Sequence, residues 1–198
     1  DLRLILIDPK KTEFVVYEGL PHLVINEVLS DTNKVIQSLN WAIAEMERRY
    51  DLFNKKSRSG TYVINIDEYN ANLTEGEEKL PKIVIIADEV AAMMQDAKKD
   101  MEDRIQNLTQ KSRATGIHVI LATQRPSTDV ITGVIKSNLK SRIALSVASE
   151  IDSRVILDES GAQNLLGQGD LLYSTEGTKT PIRMQAPFIS SEKAQEVI

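Results

Sequence analysis

Residues 82–89 constrain the fold more than any other stretch of the chain. β-branched apolar residues run from 83 to 86 without polar alternation, which is typical of a strand that is buried on both faces of a parallel sheet. The run ends in two adjacent carboxylates, Asp88 and Glu89. Ligands of open parallel sheets bind beyond the carboxyl ends of the strands, so these two acids are expected where a ligand would lie.

This arrangement is the pattern of a Walker B motif. An aspartate at the end of a strand can hold Mg²⁺ through the water shell of the ion, and the next glutamate can polarise an attacking water. An aspartate in this place also commonly caps the helix that follows the strand. The run alone therefore leaves both interpretations of Asp88 open.

Composition limits the classes of protein to which the chain can belong. Its 198 residues, 41% hydrophobic and 27% charged, are typical of a soluble globular domain with a sizeable core. The net charge of −5 means that contact with nucleic acid would need a local basic patch. The chain has no cysteine and two histidines, which excludes disulfides and argues against a metal site built on these residues.

Two more apolar runs, 2–7 and 117–122, predict buried strands, and each is followed by polar residues. The alternation of these runs with helical periodicity predicts an α/β fold with a mainly parallel sheet flanked by helices. In such a sheet the residues after each strand meet at one edge, although an ordinary turn with a solvated lysine is the simpler interpretation of the first set. The polar residues are Asp8 and Lys10 after the first run, and Thr123 and Gln124 after the second.

Helical signals lie between the strands. Ser30 or Asp31 can cap a long helix that extends to about Phe53; its charged residues 45–49 are most simply a solvated face. A second amphipathic helix follows Glu89 and ends before Gly116. Arg113 comes late in this helix, where a cation interacts favourably with the helix dipole.

Residues 54–80 change in character, with basic and acidic polar flanks around a short helical segment, and predict an exposed, mobile insertion. Downstream, Ser127, Thr128 or Asp129 can cap a helix before a fourth strand at 142–147. We expect one domain over 1–189, with 190–198 beginning a linker or helix.

The chain resembles the motor domain of the FtsK/SpoIIIE family of bacterial DNA translocases over nearly its whole length apart from 54–80. The matching segments are 4–10, 45–50, 83–89, 110–118, 121–127, 129–133, 151–158 and 165–170.

The resemblance implies a RecA-like P-loop NTPase core that works as a homo-hexamer and hydrolyses ATP with Mg²⁺ to pump double-stranded DNA during cell division or sporulation. Asp88 would hold the magnesium water shell, Glu89 would be the catalytic base, and Asp8 and Lys10 would lie beside the nucleotide. Further implied roles are γ-phosphate sensing by Thr123 and Gln124, and an arginine finger at Arg113, with Arg142 as second choice.

For DNA, the resemblance implies basic residues on channel loops, and Arg125 and Lys136 match such positions. Residues 125–142 carry four cations, the other two being Lys140 and Arg142, against the single acid Asp129. This local charge of +3 can bind phosphates without reading bases. A solvated basic face is the alternative.

The family's Walker A loop, roughly 30 residues before Asp8 by family spacing, cradles the phosphates. No Gly-X-X-X-X-Gly-Lys occurs in the sequence. We therefore expect an N-terminally truncated fragment without ATPase activity of its own. In the full-length protein, the resemblance implies a cytoplasmic motor with an upstream anchor in the inner membrane and a downstream winged-helix domain.

Two other functions remain open from the residues. One is a protein-secretion ATPase of the same superfamily, in which the sheet and the acid pair would look alike. The other is a non-catalytic assembly module. The segments 8–10 and 123–126 and the basic loops favour DNA.

Overall fold

The structure, a computed structural model, describes residues 1–198 and divides them into two compact units, 1–123 and 124–198. The single domain over 1–189 stays a prediction. The first unit contains a parallel sheet with helices, and the second contains an antiparallel sheet with helices. None of the helices in residues 1–198 has the length and apolar character that crossing a bilayer requires.

The sheet of the first unit confirms the predicted parallel strands. It consists of β1 (Leu2–Ile7), β2 (Lys82–Ala87) and β3 (Ile117–Leu121). β2 lies in the centre and runs parallel to both neighbours, with Ala87 paired to Ile7 on one side and to Leu121 on the other. The residues that follow the three strands therefore emerge at one edge.

Three helices belong to this unit: α1 (Thr32–Arg58), α2 (Ile66–Ala71) and α3 (Ala91–Lys111). The carboxylate of Asp31 caps α1 by accepting the Lys34 N–H at 3.0 Å. α1 lies alongside α3 in the same direction, with the Tyr50 hydroxyl donating to the Lys111 carbonyl at 2.5 Å. The methionines of α3 are buried in the core, as their spacing predicts.

The structure corrects the prediction of an exposed insertion at 54–80 in part. Residues 72–79 lie outside the helices and strands and are exposed or partly exposed, as predicted. In contrast, α1 continues through the basic residues to Arg58, and four of the apolar residues that follow join one buried cluster with Phe53. Lys56 is only 6% exposed because it pairs with Glu77 and lies 5.3 Å from the centre of the Tyr69 ring. The members of the cluster are Phe53, Val63, Ile66, Tyr69 and Leu80.

The solvated face predicted for residues 45–49 is also wrong in one place. Arg49 is 1% exposed. Its Nε donates to Glu45 Oε1 at 2.7 Å and its Nη1 donates to the Thr115 carbonyl at 2.7 Å. This side chain ties α1 to the turn that leads into β3.

The second unit contains an antiparallel sheet of three strands. β4 (Arg142–Leu145) pairs antiparallel with β5 (Asp170–Ser174), which pairs antiparallel with β6 (Ile182–Gln185). The fourth predicted strand therefore exists but does not extend the parallel sheet. The helices of this unit are α4 (Gly133–Asn138), α5 (Glu150–Leu157) and α6 (Ser191–Val197).

α4 begins later than predicted because Thr132, and none of residues 127–129, caps it. The Thr132 hydroxyl oxygen accepts the Ile135 N–H at 3.4 Å. One face of β4 is buried through Ala144, which packs with Leu157, Ala162 and Leu165. These residues form the core of the second unit.

Candidate active site

The carboxyl edge of the parallel sheet gathers side chains from all three strands. The Asp88 N–H donates to the Ile7 carbonyl at 2.9 Å, and the Ala122 N–H donates to the Ala87 carbonyl at 2.8 Å. Each strand is thus held in register up to its last residue. Asp8, Asp88 and Thr123 consequently leave the sheet at the same edge.

The carboxylate of Glu89 interacts with residues that follow the two outer strands, β1 and β3. Its Oε1 accepts the Thr123 hydroxyl at 2.7 Å and the Ala91 N–H at 3.4 Å. The Lys10 ammonium lies 3.8 Å from its Oε2. Glu89 is only 3% exposed, whereas the Lys10 side chain is 47% exposed, so Lys10 is the more mobile partner of the acid.

The backbone of Glu89 adopts an uncommon conformation. Its φ of +44° lies in the left-handed region, which side chains with a β-carbon rarely enter. A residue held in such a conformation costs about 1–3 kcal/mol and is found mostly where a site needs it. The strain is a second sign, independent of the side-chain contacts, that this edge is functional.

Asp88 has an unsatisfied carboxylate oxygen. Its Oδ2 is buried and has no hydrogen-bond partner. Burial raises the pKa of Asp88, the negative charges of Asp8, Glu13 and Glu89 raise it further, and Lys10 opposes them. Burying a polar atom without a hydrogen-bond partner costs free energy. A cation or a hydrogen-bond donor that binds this oxygen would therefore stabilise the site.

The donor set fits a hydrated magnesium ion better than a caged metal. No group of three or more His, Cys, Asp or Glu side chains in residues 1–198 is arranged to hold a metal. Mg²⁺ usually keeps several waters and binds through one or two carboxylates plus substrate phosphates. Asp88 can serve as such a carboxylate, since its Oδ2 is unpartnered.

Asp8 orders the loop that follows β1. It is fully buried, and its two oxygens accept four backbone N–H groups at 2.8–3.1 Å. Burial raises the pKa of Asp8, but these four donors outweigh burial and hold it below the ordinary value. Asp8 thus places a fixed negative charge near Asp88; a direct contact with a ligand stays a prediction. The four donors belong to Lys10, Thr12, Glu13 and Phe14.

Arg113 lies at the other end of the sheet. It is exposed, in the turn between α3 and β3, where β3 begins. The structure does not bring Arg113 to the acid pair of its own chain, because the length of β3, roughly 16 Å, separates the two edges. An open groove of about 730 Å³ beside Arg113 is also lined by Tyr50, Asn65 and Asp67.

The remaining predicted residues belong to the second unit. Gln124 follows Thr123 directly and, like Arg125, is exposed. Arg142 is held within its own unit, where Nη1 donates to Asp158 Oδ2 at 2.6 Å and to the Ile156 carbonyl at 3.1 Å. A finger role for Arg142 would require the loss of these bonds.

The predicted basic stretch 125–142 is largely paired with acids. Lys136 bonds to Asp158, which also binds Arg142, and Lys140 Nζ lies 2.5 Å from Glu176 Oε1. Sequence reasoning missed Asp158 and Glu176 because both lie outside the counted stretch. Asp158 adopts a left-handed backbone conformation at the end of α5. Apart from the polar residues that follow, nothing in the sequence predicted this conformation.

The fold and the acid pair at the carboxyl edge define the class: the chain has the fold of a P-loop-type ATPase domain. The conjugation coupling protein TcpA, solved with ATPgS, matches 97% of this chain and 54% of its own with a TM-score of 0.83 and 26% identity. The cytoplasmic domain of the Type VII secretion ATPase EccC of Thermomonospora curvata matches 96% of this chain and 22% of its own, at a TM-score of 0.73 and 24% identity. The latter likeness concerns the fold alone.

The chain belongs to the FtsK/SpoIIIE family, whose sequence model matches residues 1–128. Proteins named DNA translocase FtsK from Clostridium acetobutylicum and Halalkalibacterium halodurans are each 50% identical to it over 200 and 205 residues, covering all of this chain and 25% of each relative. A Staphylococcus aureus protein of the same name is 48% identical over 200 residues, with the same two coverages. The chain therefore spans about a quarter of the length of these curated relatives.

Proposed function

We propose that residues 1–198 are part of an ATP-driven motor that moves double-stranded DNA. The observation that carries this proposal is the constellation of Asp88, Glu89, Lys10 and Thr123 at one sheet edge. It occurs in a chain that is 48–50% identical over its whole length to proteins named DNA translocase FtsK.

In this motor Glu89 orients and polarises the attacking water. The Thr123 hydroxyl fixes one carboxylate oxygen at 2.7 Å, and the attacking water is proposed to meet the other oxygen, Oε2. Lys10 lies 3.8 Å from that oxygen and must move aside or rotate toward phosphate before water can bind there. Its exposed, flexible stem permits such a movement.

Asp88 holds Mg²⁺ through the water shell, since its Oδ2 has no protein partner. The magnesium ion, when bound, neutralises charge on the phosphates of ATP. Thr123 and Gln124, at the end of the adjacent strand, sense the γ-phosphate in this proposal.

Arg113 serves a neighbouring subunit. The acid pair and Arg113 lie at opposite edges of one sheet, so a head-to-tail arrangement of copies would bring the arginine of one to the acids of the next. Head-to-tail contacts build a ring when the rotation closes, as in the hexamer that we propose. An arginine stabilises a transferring phosphoryl group because its planar fork of donors stays charged.

DNA contacts arise from the second unit, through Arg125, Lys136 and Lys140. Lysine and arginine bind phosphates and carry no base information, as suits a motor that moves along any sequence. We further propose that the motor is cytoplasmic and belongs to a longer membrane-anchored protein with a winged-helix domain downstream. A secretion ATPase is disfavoured, because the secretion ATPases resemble this chain in fold alone.

The catalytic proposal is tested by Glu89→Gln in the full-length protein. Glutamine keeps the size of the side chain and can still accept the Thr123 hydroxyl, but it cannot polarise water as a carboxylate does. We expect DNA-stimulated ATP hydrolysis to fall by at least about 10²-fold while ATP binding persists. Glu75→Gln, an exposed glutamate outside the helices and strands, is the matched control. Hydrolysis that survives in Glu89→Gln would contradict the assigned base.

The isolated chain of 198 residues is expected to hydrolyse no ATP, with or without DNA, because it contains no phosphate-binding loop. A malachite-green assay that compares the isolated chain with the full-length protein checks this.

The DNA proposal is tested by Arg125→Glu and Lys136→Glu in the full-length protein. Both should weaken duplex binding and lower its salt dependence; an unchanged affinity would favour a polypeptide substrate.

A further inference from the structure

Each cation between the start of α4 and the end of α5 faces a carboxylate of the same unit. Lys136 and Arg142 share Asp158. Lys140 Nζ lies 2.5 Å from Glu176 Oε1, and Arg154 Nη2 lies 2.6 Å from Glu150 Oε1. The surface that is proposed to meet DNA is therefore masked by acids.

Asp158 is the centre of this pattern because it alone binds two cations. Its Oδ1 accepts from Lys136 and its Oδ2 accepts from Arg142. Asp158 ends α5 with φ +64° and ψ +3°, a left-handed conformation that Asp and Asn tolerate better than most residues. This backbone conformation places the Asp158 carboxylate beside the two cations. The side chain of Asp158 is 57% exposed.

The two cations are held differently. Arg142 also donates to the carbonyls of Ile156 at 3.1 Å and Leu139 at 3.3 Å, so it remains anchored without Asp158. Lys136, whose side chain is 21% exposed, meets Asp158 with a single ammonium group on a flexible four-carbon stem. Lys136 is thus the cation that can leave Asp158 for another anion.

We propose that Asp158 competes with DNA phosphates for Lys136, so that DNA binding exchanges a carboxylate of the chain for a phosphate. A duplex presents one negative charge about every 1.7 Å along its axis. The Lys136–Asp158 pair is partly exposed, and exposed pairs are weak enough for such an anion to displace. This inference rests on the proposed function, since it needs a surface that binds DNA.

The exchange has a signature in the salt dependence of binding. A free lysine that neutralises a phosphate releases a counterion and adds about 0.9 to the slope of log K against log salt. A lysine that first leaves Asp158 adds less, because the abandoned carboxylate takes up a cation. Removing the carboxylate should therefore raise the affinity and steepen the slope together.

The test is a fluorescence-anisotropy titration of a labelled DNA duplex with the full-length protein at several salt concentrations. Asp158→Asn removes the charge and keeps a residue that tolerates the left-handed backbone. We expect binding about two- to fivefold tighter, the range for an exposed ion pair, and a slope steeper by up to about 0.9. Asp67→Asn, at an ion pair of the first unit, changes the net charge equally and should have no such effect.

Lys136→Gln completes a double-mutant cycle. If Asp158 acts through Lys136, Asp158→Asn should no longer tighten binding in the Lys136→Gln background. Equal tightening in both backgrounds, or in the Asp67→Asn control, would show a general charge effect and overturn the inference. If Asp158→Asn does not fold by circular dichroism, Asp158→Gly, which also accepts positive φ, replaces it with the same expectation.

Two outcomes separate this inference from the function on which it rests. If the unmodified full-length protein binds DNA and Lys136→Gln weakens that binding, but Asp158→Asn leaves it unchanged, the DNA function stands and the competition is refuted. If neither the unmodified full-length protein nor any variant binds the duplex, the proposed DNA surface is wrong, and the competition falls with it.

Discussion

Replacing Arg49 by alanine should destabilise the first unit more than any substitution of its charged neighbours. The guanidinium is 1% exposed and donates at 2.7 Å both to Glu45 Oε1 and to the carbonyl of Thr115. Alanine would leave a cavity, a carbonyl without its partner, and a glutamate that is 12% exposed with only Arg48 to pair with.

The magnitude follows from these two bonds. Hydrogen bonds to charged groups contribute about 1.5–3 kcal/mol each, and removing one partner of a buried ion pair typically costs about 3–5 kcal/mol. We therefore expect Arg49→Ala to lower the free energy of unfolding by about 3–5 kcal/mol. For a chain of this size that lowers the melting temperature by roughly 10 °C.

Arg48→Ala is the matched control. Arg48 binds the same glutamate, with its Nε 2.6 Å from Glu45 Oε2, but its side chain is 55% exposed. Exposed pairs contribute about 0.2–1 kcal/mol, so this variant should unfold close to the unmodified chain. Urea unfolding followed by far-ultraviolet circular dichroism measures both variants.

Arg49→Lys separates charge from geometry. A single ammonium replaces the planar fork, and cannot reproduce the two-pronged contact, so we expect a loss between those of the other two variants. A loss for Arg49→Ala no larger than for Arg48→Ala would refute the argument that burial makes this pair structural. Because Thr115 lies in the turn that carries Arg113, a confirmed loss would also identify Arg49 as a support of the proposed finger.

Three further predictions concern stability. Asp88→Asn should raise the melting temperature at neutral pH, because the pKa of Asp88 is raised by burial and its ionised form opposes folding; the gain should vanish below the ordinary value of 3.8. Gly116→Ala should destabilise by about 1–3 kcal/mol, since φ is +73° and a β-carbon would lie 2.7 Å from an isoleucine of α2; Gly133→Ala, with open space around it, should not. Arg183, the larger cause, and the Leu166 N–H together lower the pKa of Asp170 to about 2, so their stabilisation is complete well above pH 3.8 and lost as the pH falls through about 2. Unfolding midpoints for Arg183→Ala across this range should show a smaller loss, because the bond from the Leu166 N–H remains.

The parallel sheet was predictable because β2 carries an unbroken apolar run and the runs of β1 and β3 are each interrupted by one polar residue. The run of β2 predicts burial on both faces, but the structure buries only one face fully and the other, with Val84 and Ile86, in part. The cap of α1 was predicted as either Ser30 or Asp31, because both side chains can accept N–H groups of the first turn, and the structure shows that it is Asp31. The antiparallel β4 was not distinguishable, because a short apolar run reads alike in either sheet.

Polar contacts between residues far apart in the sequence could not be predicted from it. Arg49 donates to the carbonyl of Thr115, which lies 66 positions away in the sequence. The pattern of charged residues on a helical face does not predict such a partner. The pairing of Lys136 with Asp158, 22 positions apart, was invisible for the same reason. Local propensity and periodicity report on nearby residues, whereas these bonds depend on how separate elements pack.

At the edge of the parallel sheet, the sequence predicted which residues would gather but not their states. It indicated Asp88, Glu89 and Thr123 together, since each follows a strand. It did not indicate the bond between Thr123 and Glu89 or the unpartnered oxygen of Asp88. These depend on backbone angles and side-chain rotamers that no motif encodes.

The left-handed backbone at Glu89 bears on how mutagenesis of this position should be interpreted. Valine at this position would change two properties at once, the carboxylate and the torsional preference of the peptide, because β-branched residues enter the left-handed region less readily than glutamate does. Glutamine removes the charge and keeps a side chain with a β-carbon, whereas glycine removes the acid and also relieves the torsion. Comparing the glutamine and glycine variants therefore separates the loss of the carboxylate from the release of the strained backbone.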